Sequence, residues 1–262
     1  MFDKELQTYE QVRKEYEEKI ISRMDAKDYR EYSEVLFSTH SCAIEGNSFT
    51  IDDSRALKEL GLGMPVPKGR KLYECVEMAD HFAAYEYVMD NIHHPLNEIF
   101  VKEVNRRLVE HTLSYHAPDA VPGEYTDVDM AAGDTVFGNH EKLIARVPKL
   151  LDSTERAMQS GDVHPLILAA RFHGYYEYLH PFRDGNGRTG RLLSNYILLR
   201  QGHPLLTIRL DERPQYINAL RTIRTEGTDE HLIALFIKLT TDHMQEELNQ
   251  KRNNSRPVMF LF

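Results

Sequence analysis

The stretch His180-Pro181-Phe182-Arg183-Asp184-Gly185-Asn186-Gly187-Arg188-Thr189-Gly190-Arg191 decides how this chain is read. Just before it, Leu166, Ala169, Phe172, Tyr176 and Leu179 fall along one helical stripe, which marks the most apolar helix of the chain. Pro181 disfavours helical backbone at His180, so that helix is expected to end there. Asp184 to Gly187 reads as a tight turn with little side-chain bulk, leaving backbone N–H groups to face a ligand. A second helix is expected to start near Arg188. A glycine-rich turn that opens onto a helix N-terminus suits an anion, through those N–H groups and the helix dipole. Arg188 and Arg191 are three residues apart and share one face, and their guanidinium forks suit phosphate oxygens. Asp184 reads as a lone carboxylate beside the phosphates, placed to hold Mg2+. His180, at the other end of the turn, is placed to accept a proton from an incoming hydroxyl. Phe182 is expected to point inward and anchor the loop. Base, metal carboxylate, anion cradle and two arginines together describe a phosphoryl or nucleotidyl transfer site.

Two rival motifs overlap this stretch and fail on context. Gly185, Gly187 and Gly190 spell G-x-G-x-x-G, with Asp211 downstream as in a dinucleotide fold. That fingerprint needs a strand directly before it and a βαβ unit around it, whereas Leu166 to Leu179 has helical period and length. No Lys-Ser or Lys-Thr follows the glycines, which excludes a Walker A loop. An H-E-x-x-H zinc helix is absent. His93, His94, His111 and His116 make no ligand spacing and read as ordinary surface or core residues.

The rest of the chain supplies the setting. It has 262 residues, 28% of them charged and 41% apolar, which is a globular composition long enough to bury a core. The net charge of −9 argues against a broad nucleic-acid footprint. Cys42 and Cys75 form no C-x-x-C pair and read as buried thiols in a reducing compartment. The charged N-terminus carries no secretory signal, and no apolar run approaches the ~20 residues of a spanning helix. These features lead to the expectation of a cytoplasmic protein that engages neither membrane nor nucleic acid.

Outward from the central stretch, the periodicity predicts an all-α protein. One or two amphipathic helices fill residues 3–38, and a helix running through Ser41 to Glu45 ends at Gly46-Asn47. Thr50 caps the next helix, which stops near Gly61. A helix over 71–91 shows Leu72, Cys75, Ala79, Phe82 and Tyr85–Tyr87 as its inner face, and another covers 96–109. Tyr125, Val128 and Met130, then Val136 and Phe137, flank Ala131-Ala132-Gly133-Asp134 and read as a short exposed hairpin. Helices follow over Leu143 to Met158 and at about 212–224 and 228–250. The apolar tail Pro257 to Phe262 reads as packing onto the core or a partner. The expected division is a helical N-terminal region over 1–94, a core over 95–226, and a C-terminal helix and tail over 227–262.

The stretch from His180 to Arg191 resembles the signature of the Fic domain family, H-P-F-x-D/E-G-N-G-R-x-x-R, at every fixed position. The resemblance extends over roughly residues 95–225. It implies a Fic-type helical bundle with a hairpin flap, and transfer of AMP from ATP to a Ser, Thr or Tyr hydroxyl of a target protein. By that resemblance His180 is the base and Asp184 holds Mg2+. Gly185, Asn186, Gly187 and Arg188 cradle the α- and β-phosphates, and Arg191 reaches the γ-phosphate. Tyr125, Val128, Met130 and Val136 belong to the flap that receives the target backbone by strand addition. Thr126 stands where the family often has Arg after Gly-x-Tyr. Gly187 stands where kinase-like relatives carry Lys. Upstream, Ser41-Cys42-Ala43-Ile44-Glu45-Gly46 resembles the family's inhibitory motif, S/T-x-x-x-E-G/N. Ser41 and Glu45 share a helical face, and the resemblance implies that Glu45 pairs with Arg191 in the place of the γ-phosphate. In some relatives that Glu also orients a water for removing AMP. Two other readings stay open: an ATP-sensing regulator without catalysis, and transfer of another phosphate-containing group. A homodimer is a further possibility under this resemblance.

Overall fold

Capping chemistry sets the helix boundaries in the computed structural model, which describes residues 2–132 and 135–253. The helices are α1 (Asp3–Lys19), α2 (Ala26–Ile44), α3 (Ile51–Leu60), α4 (Leu72–Asp90), α5 (Glu98–Val109), α6 (Leu143–Ser160), α7 (Pro165–Leu179), α8 (Asn186–Arg200), α9 (Arg213–Thr225) and α10 (Glu230–Asn253). Thr50 opens α3 with a capping box: its hydroxyl accepts from the Asp53 N–H at 3.1 Å, and the Asp53 carboxylate accepts from the Thr50 N–H at 2.9 Å. Asn97 caps α5 by accepting from the Phe100 N–H. A ring nitrogen of His164 does the same for α7, with Pro165 in the first turn.

The fold is all-α, as the periodicity predicts. The α7 stripe Leu166, Ala169, Phe172, Tyr176 and Leu179 is at most 1% exposed, and α7 packs along α8 at the centre of the core. α1 lies along α10, α2 against α4, and α4 against α5, so helices from both ends of the chain cover the α7–α8 pair. Strands β1 (Ala131–Ala132) and β2 (Thr135–Val136) make the hairpin, pairing Ala131 with Val136 and Ala132 with Thr135. Cys42 and Cys75 are both buried and free. No helix among the described residues is long and apolar enough to cross a membrane.

Three expectations change. α8 starts at Asn186, two residues before Arg188, because Gly185 turns the chain at φ +74° and the Asn186 side chain satisfies the loop backbone. Leu72 is 62% exposed, since it opens α4 ahead of the first packed turn, while Cys75, Phe82 and Tyr85 are buried as expected. Tyr125 stands outside the hairpin: it makes an isolated antiparallel bridge with Phe182. The tail from Pro257 to Phe262 and the hairpin tip Gly133-Asp134 lie outside the described residues.

Candidate active site

His180 closes α7 with φ +50° and ψ +60°, the one positive φ at a non-glycine among the described residues. Such backbone costs about 1–3 kcal/mol and survives where its surroundings impose it. Here its N–H donates to the Tyr176 carbonyl at 2.9 Å, and its ring stacks on Phe137 with centroids 3.6 Å apart. Phe137 is held by its N–H bond to the Met130 carbonyl, and the neighbouring Gly138 N–H bonds the Tyr178 carbonyl. The hairpin is thereby fastened over the end of α7. Burial, reinforced by the Arg224 cation, lowers the His180 pKa to about 4. The imidazole is therefore neutral across the physiological range and able to accept a proton.

The loop after His180 is tied on all sides. Phe182 points inward and is 1% exposed, with the Tyr125 ring 5.4 Å from it. The Thr126 N–H donates to the Pro181 carbonyl at 2.8 Å, and the Tyr125 hydroxyl donates to Glu98 at 3.0 Å. Asn105 on α5 donates to the Asp184 carbonyl at 3.0 Å and to the Thr189 hydroxyl at 3.2 Å. The buried Asn186 side chain accepts from the Phe182 N–H and donates to the Phe182 carbonyl, so in this structure it shapes the turn. A Cβ on Gly185 would stand 2.7 Å from Val109, which adds a packing reason to its positive φ.

Arg188 and Arg191 are 2% and 4% exposed. Arg188 donates to Glu77 on α4 at 2.7 Å and to Asp184 at 3.3 Å. Asp184 Oδ1 also accepts from the Gly185 N–H at 2.6 Å. Arg191 donates to Glu45 Oε1 at 2.8 Å, to the Ser41 carbonyl at 2.7 Å and to the Ser41 hydroxyl at 3.1 Å, and it lies beside the Tyr216 ring. Burial raises the Glu45 carboxyl, but Arg191, Arg188 and Arg213 outweigh it and hold the group below the usual carboxylate range. A Cβ on Gly187 would meet Glu45 Oε1 at 2.4 Å, so glycine there makes room for this carboxylate.

Asp184 is not a lone carboxylate. Glu77, Glu45 and Glu177 also converge here, because α2, α4 and α7 bring them to the two arginines and His180. Glu77 and Glu177 have a signal in the sequence: each is an acidic residue on a helix whose neighbours are buried. Phe137 and Arg224 have none, since only the packing of hairpin and α9 over α7 brings them to His180. Of the flap residues, Val128 and Val136 are 41% and 72% exposed, Met130 is half-buried, and Tyr125 is tucked beneath.

Asp184 suits a hard cation: one carboxylate oxygen is fixed by Gly185 and Arg188, and the side chain keeps 26% exposure. Backbone N–H groups of a helix start, a neutral imidazole and a part-exposed carboxylate thus lie within one loop and one helix start.

The family model described as Fic/DOC family matches residues 95–198. A relative named protein adenylyltransferase Fic, from Nematostella vectensis, is 34% identical over 187 residues, which cover 69% of this chain and 41% of that protein. The Drosophila grimshawi protein of the same name is 31% identical over 217 residues, covering 80% of this chain and 41% of its own. The chain thus spans about two fifths of these relatives. A Fic domain containing signaling protein from Bacteroides thetaiotaomicron superposes with a TM-score of 0.80 at 22% identity, over 95% of this chain and 98% of that one. These matches, together with the geometry of the loop from His180 to Arg191, establish that the chain belongs to the Fic/DOC family.

Proposed function

We propose that this protein is an adenylyltransferase that moves AMP from ATP to a Ser, Thr or Tyr hydroxyl of a target protein, restrained by its own N-terminal region. The observation that carries this reading is the occupation of Arg191 by Ser41 and Glu45 beside an intact His180 loop. The activity in the names of the curated relatives supports it.

In the reaction, the substrate O–H bond breaks and its proton passes to Nε2 of the neutral His180. The freed oxygen forms a bond to the α-phosphorus as the bond to pyrophosphate breaks. The amides from Gly185 to Gly187 and the two arginines hold the triphosphate. Asp184 would hold Mg2+, which supplies charge neutralisation to the phosphates. Val128 and Val136 offer the exposed edge along which a target backbone is laid. With Glu45 on Arg191 the γ-phosphate lacks its guanidinium, and the α-phosphate is not turned towards His180. Residues 1–94 act in this reading as the restraint on the transferase core, and the two buried free thiols suit the cytoplasm.

The test uses ATP labelled at the α- or the γ-phosphate. Glu45→Gln and Glu45→Gly are expected to raise α-label transfer well above wild type, and His180→Ala in either background to lower it by ~10²–10⁴-fold. Excess EDTA is expected to abolish the transfer. Transfer of γ-label, or none from either variant, overturns the reading.

A further inference from the structure

The transfer chemistry leaves the buried carboxylate beside His180 unused. Glu177 lies on α7, three residues before His180, and is 7% exposed. Its Oε1 is buried without a hydrogen bond, and so is Nδ1 of His180. A buried polar atom left unpaired is costly, so the bare Nδ1 of His180 calls for a partner. Glu177 Oε2 stands 3.9 Å from that same Nδ1. This is too long for a hydrogen bond, and it is the spacing of a pair that a small ring movement would close. Catalytic hydrogen bonds of unliganded enzymes are often long and tighten when substrate binds.

Besides the Glu177 side chain the imidazole faces the Glu177 carbonyl, which already accepts from Arg224 at 2.6 Å. The plane of the ring is held by the Phe137 stack, with rings 17° from parallel, and the His180 backbone by the left-handed turn. With Nδ1 on the Glu177 side, the remaining nitrogen, Nε2, is the one left for substrate. We propose that Glu177 is the positioning residue of His180: it accepts the Nδ1–H, fixes the tautomer whose Nε2 lone pair meets the hydroxyl, and stabilises the imidazolium formed. The logic is that of any base oriented by a third group. Glu177 stays a carboxylate throughout. The proton taken by Nε2 leaves to solvent once the new ester bond has formed. This proposal rests on His180 being the base.

The surroundings decide when Glu177 is charged. Arg191 from α8 and Arg224 from α9 face it as cations, and Glu45 from α2 faces it as an anion. Tyr216 from α9 lies close enough to feel its charge, while His173 packs one turn away on α7 itself. Burial dominates and raises its pKa to about 7, while both arginines pull it down. The carboxylate form therefore grows as pH rises through neutrality, and the rate should follow it.

The experiment measures AMP transfer against pH in a Glu45→Gln background, with and without Glu177→Gln. The amide keeps the shape and loses the charge. We expect kcat to fall by about 10²-fold, KM for ATP to stay within about twofold, and the rise of kcat through neutral pH to disappear. Unchanged kcat and an unchanged pH profile overturn the proposal. His180→Ala in the same background separates the two readings: if it too leaves transfer intact, the base assignment has failed, and not the Glu177 assignment alone. Nitrogen-15 NMR of the imidazole with ATP bound, with and without Glu177→Gln, reads the tautomer directly, and Glu177→Gln is expected to weaken the preference for Nδ1–H. Nδ1–H on His180 above pH 7 is expected, and Nε2–H overturns the proposal.

Discussion

Arg188 and Arg191 stand three residues apart on α8, both buried and both facing a carboxylate, yet the two pockets are built differently. The partner of Arg188 is Glu77, in the body of α4, with its side chain 6% exposed and its second oxygen taken by Asn47 at 2.8 Å. The partner of Arg191 is Glu45, the residue that closes α2, with its side chain 38% exposed. Breaking a buried pair from one side strands a charge, whereas a half-exposed carboxylate returns to water at small cost. The difference teaches which contact can act as a restraint. Under the proposed function, Glu45 leaves Arg191 by movement of a helix end, whereas Glu77 in the body of α4 keeps its pair with Arg188.

The comparison breaks most visibly at Arg188. Arg188→Ala leaves Glu77 buried without a cation, with only Asn47 still bonded to it, which should cost about 3–5 kcal/mol and lower Tm by roughly 10 °C. A melt within about 2 °C of wild type would mean that the Glu77 pocket is as open as the other. Next comes Glu45→Gln, where Arg191 keeps both Ser41 contacts. Because the buried Arg191 loses its carboxylate but keeps Ser41, stability should fall by about 1–3 kcal/mol, less than in Arg188→Ala, while ATP raises the variant's Tm further than that of wild type. An equal ATP-induced shift in both proteins argues that Glu45 does not compete with the nucleotide.

Asn47→Ala sharpens the contrast, because Asn47 links the two pockets. It follows the end of α2 and donates to Glu77 and to the Glu74 carbonyl on α4. Its loss should cost about 1–3 kcal/mol and raise AMP transfer, by less than Glu45→Gln does; scanning calorimetry and α-label transfer read both. The smallest effect is one of pH. Glu45 is held below its ordinary pKa, so its contribution is present above that value and is lost only as pH falls through the folded one. With Glu177→Gln in both proteins, so that Glu177 cannot titrate, the ratio of Glu45→Gln activity to the activity with Glu45 intact should therefore stay constant from pH 6 to 8. A ratio that varies there assigns the restraint to a different titrating group.

How much of this was legible beforehand depends on distance along the chain. The α7 stripe was readable because its period is written in adjacent turns, and Thr50 because a cap acts over three residues. Sequence places the start of α8 two residues late because Asn186 substitutes its side chain for missing backbone partners, which composition does not display. Proximity along the chain groups Tyr125 with the hairpin, whereas its partners are Phe182 and Glu98. The Glu45–Arg191 pair followed from resemblance alone, since neither residue announces the other.

By itself, then, the sequence determined an all-α chain and a glycine-rich loop opening onto a helix, with His180, Asp184, Arg188 and Arg191 already in place. Those residues act through backbone turns and helix starts, which neighbouring side chains control. Only the tertiary structure decided which carboxylate meets which arginine, that His180 lies between Phe137 and Glu177, and that its imidazole is neutral. Burial and charge pairing are sums over side chains from α2, α4, α8, α9 and the hairpin, and no local stretch of sequence contains them.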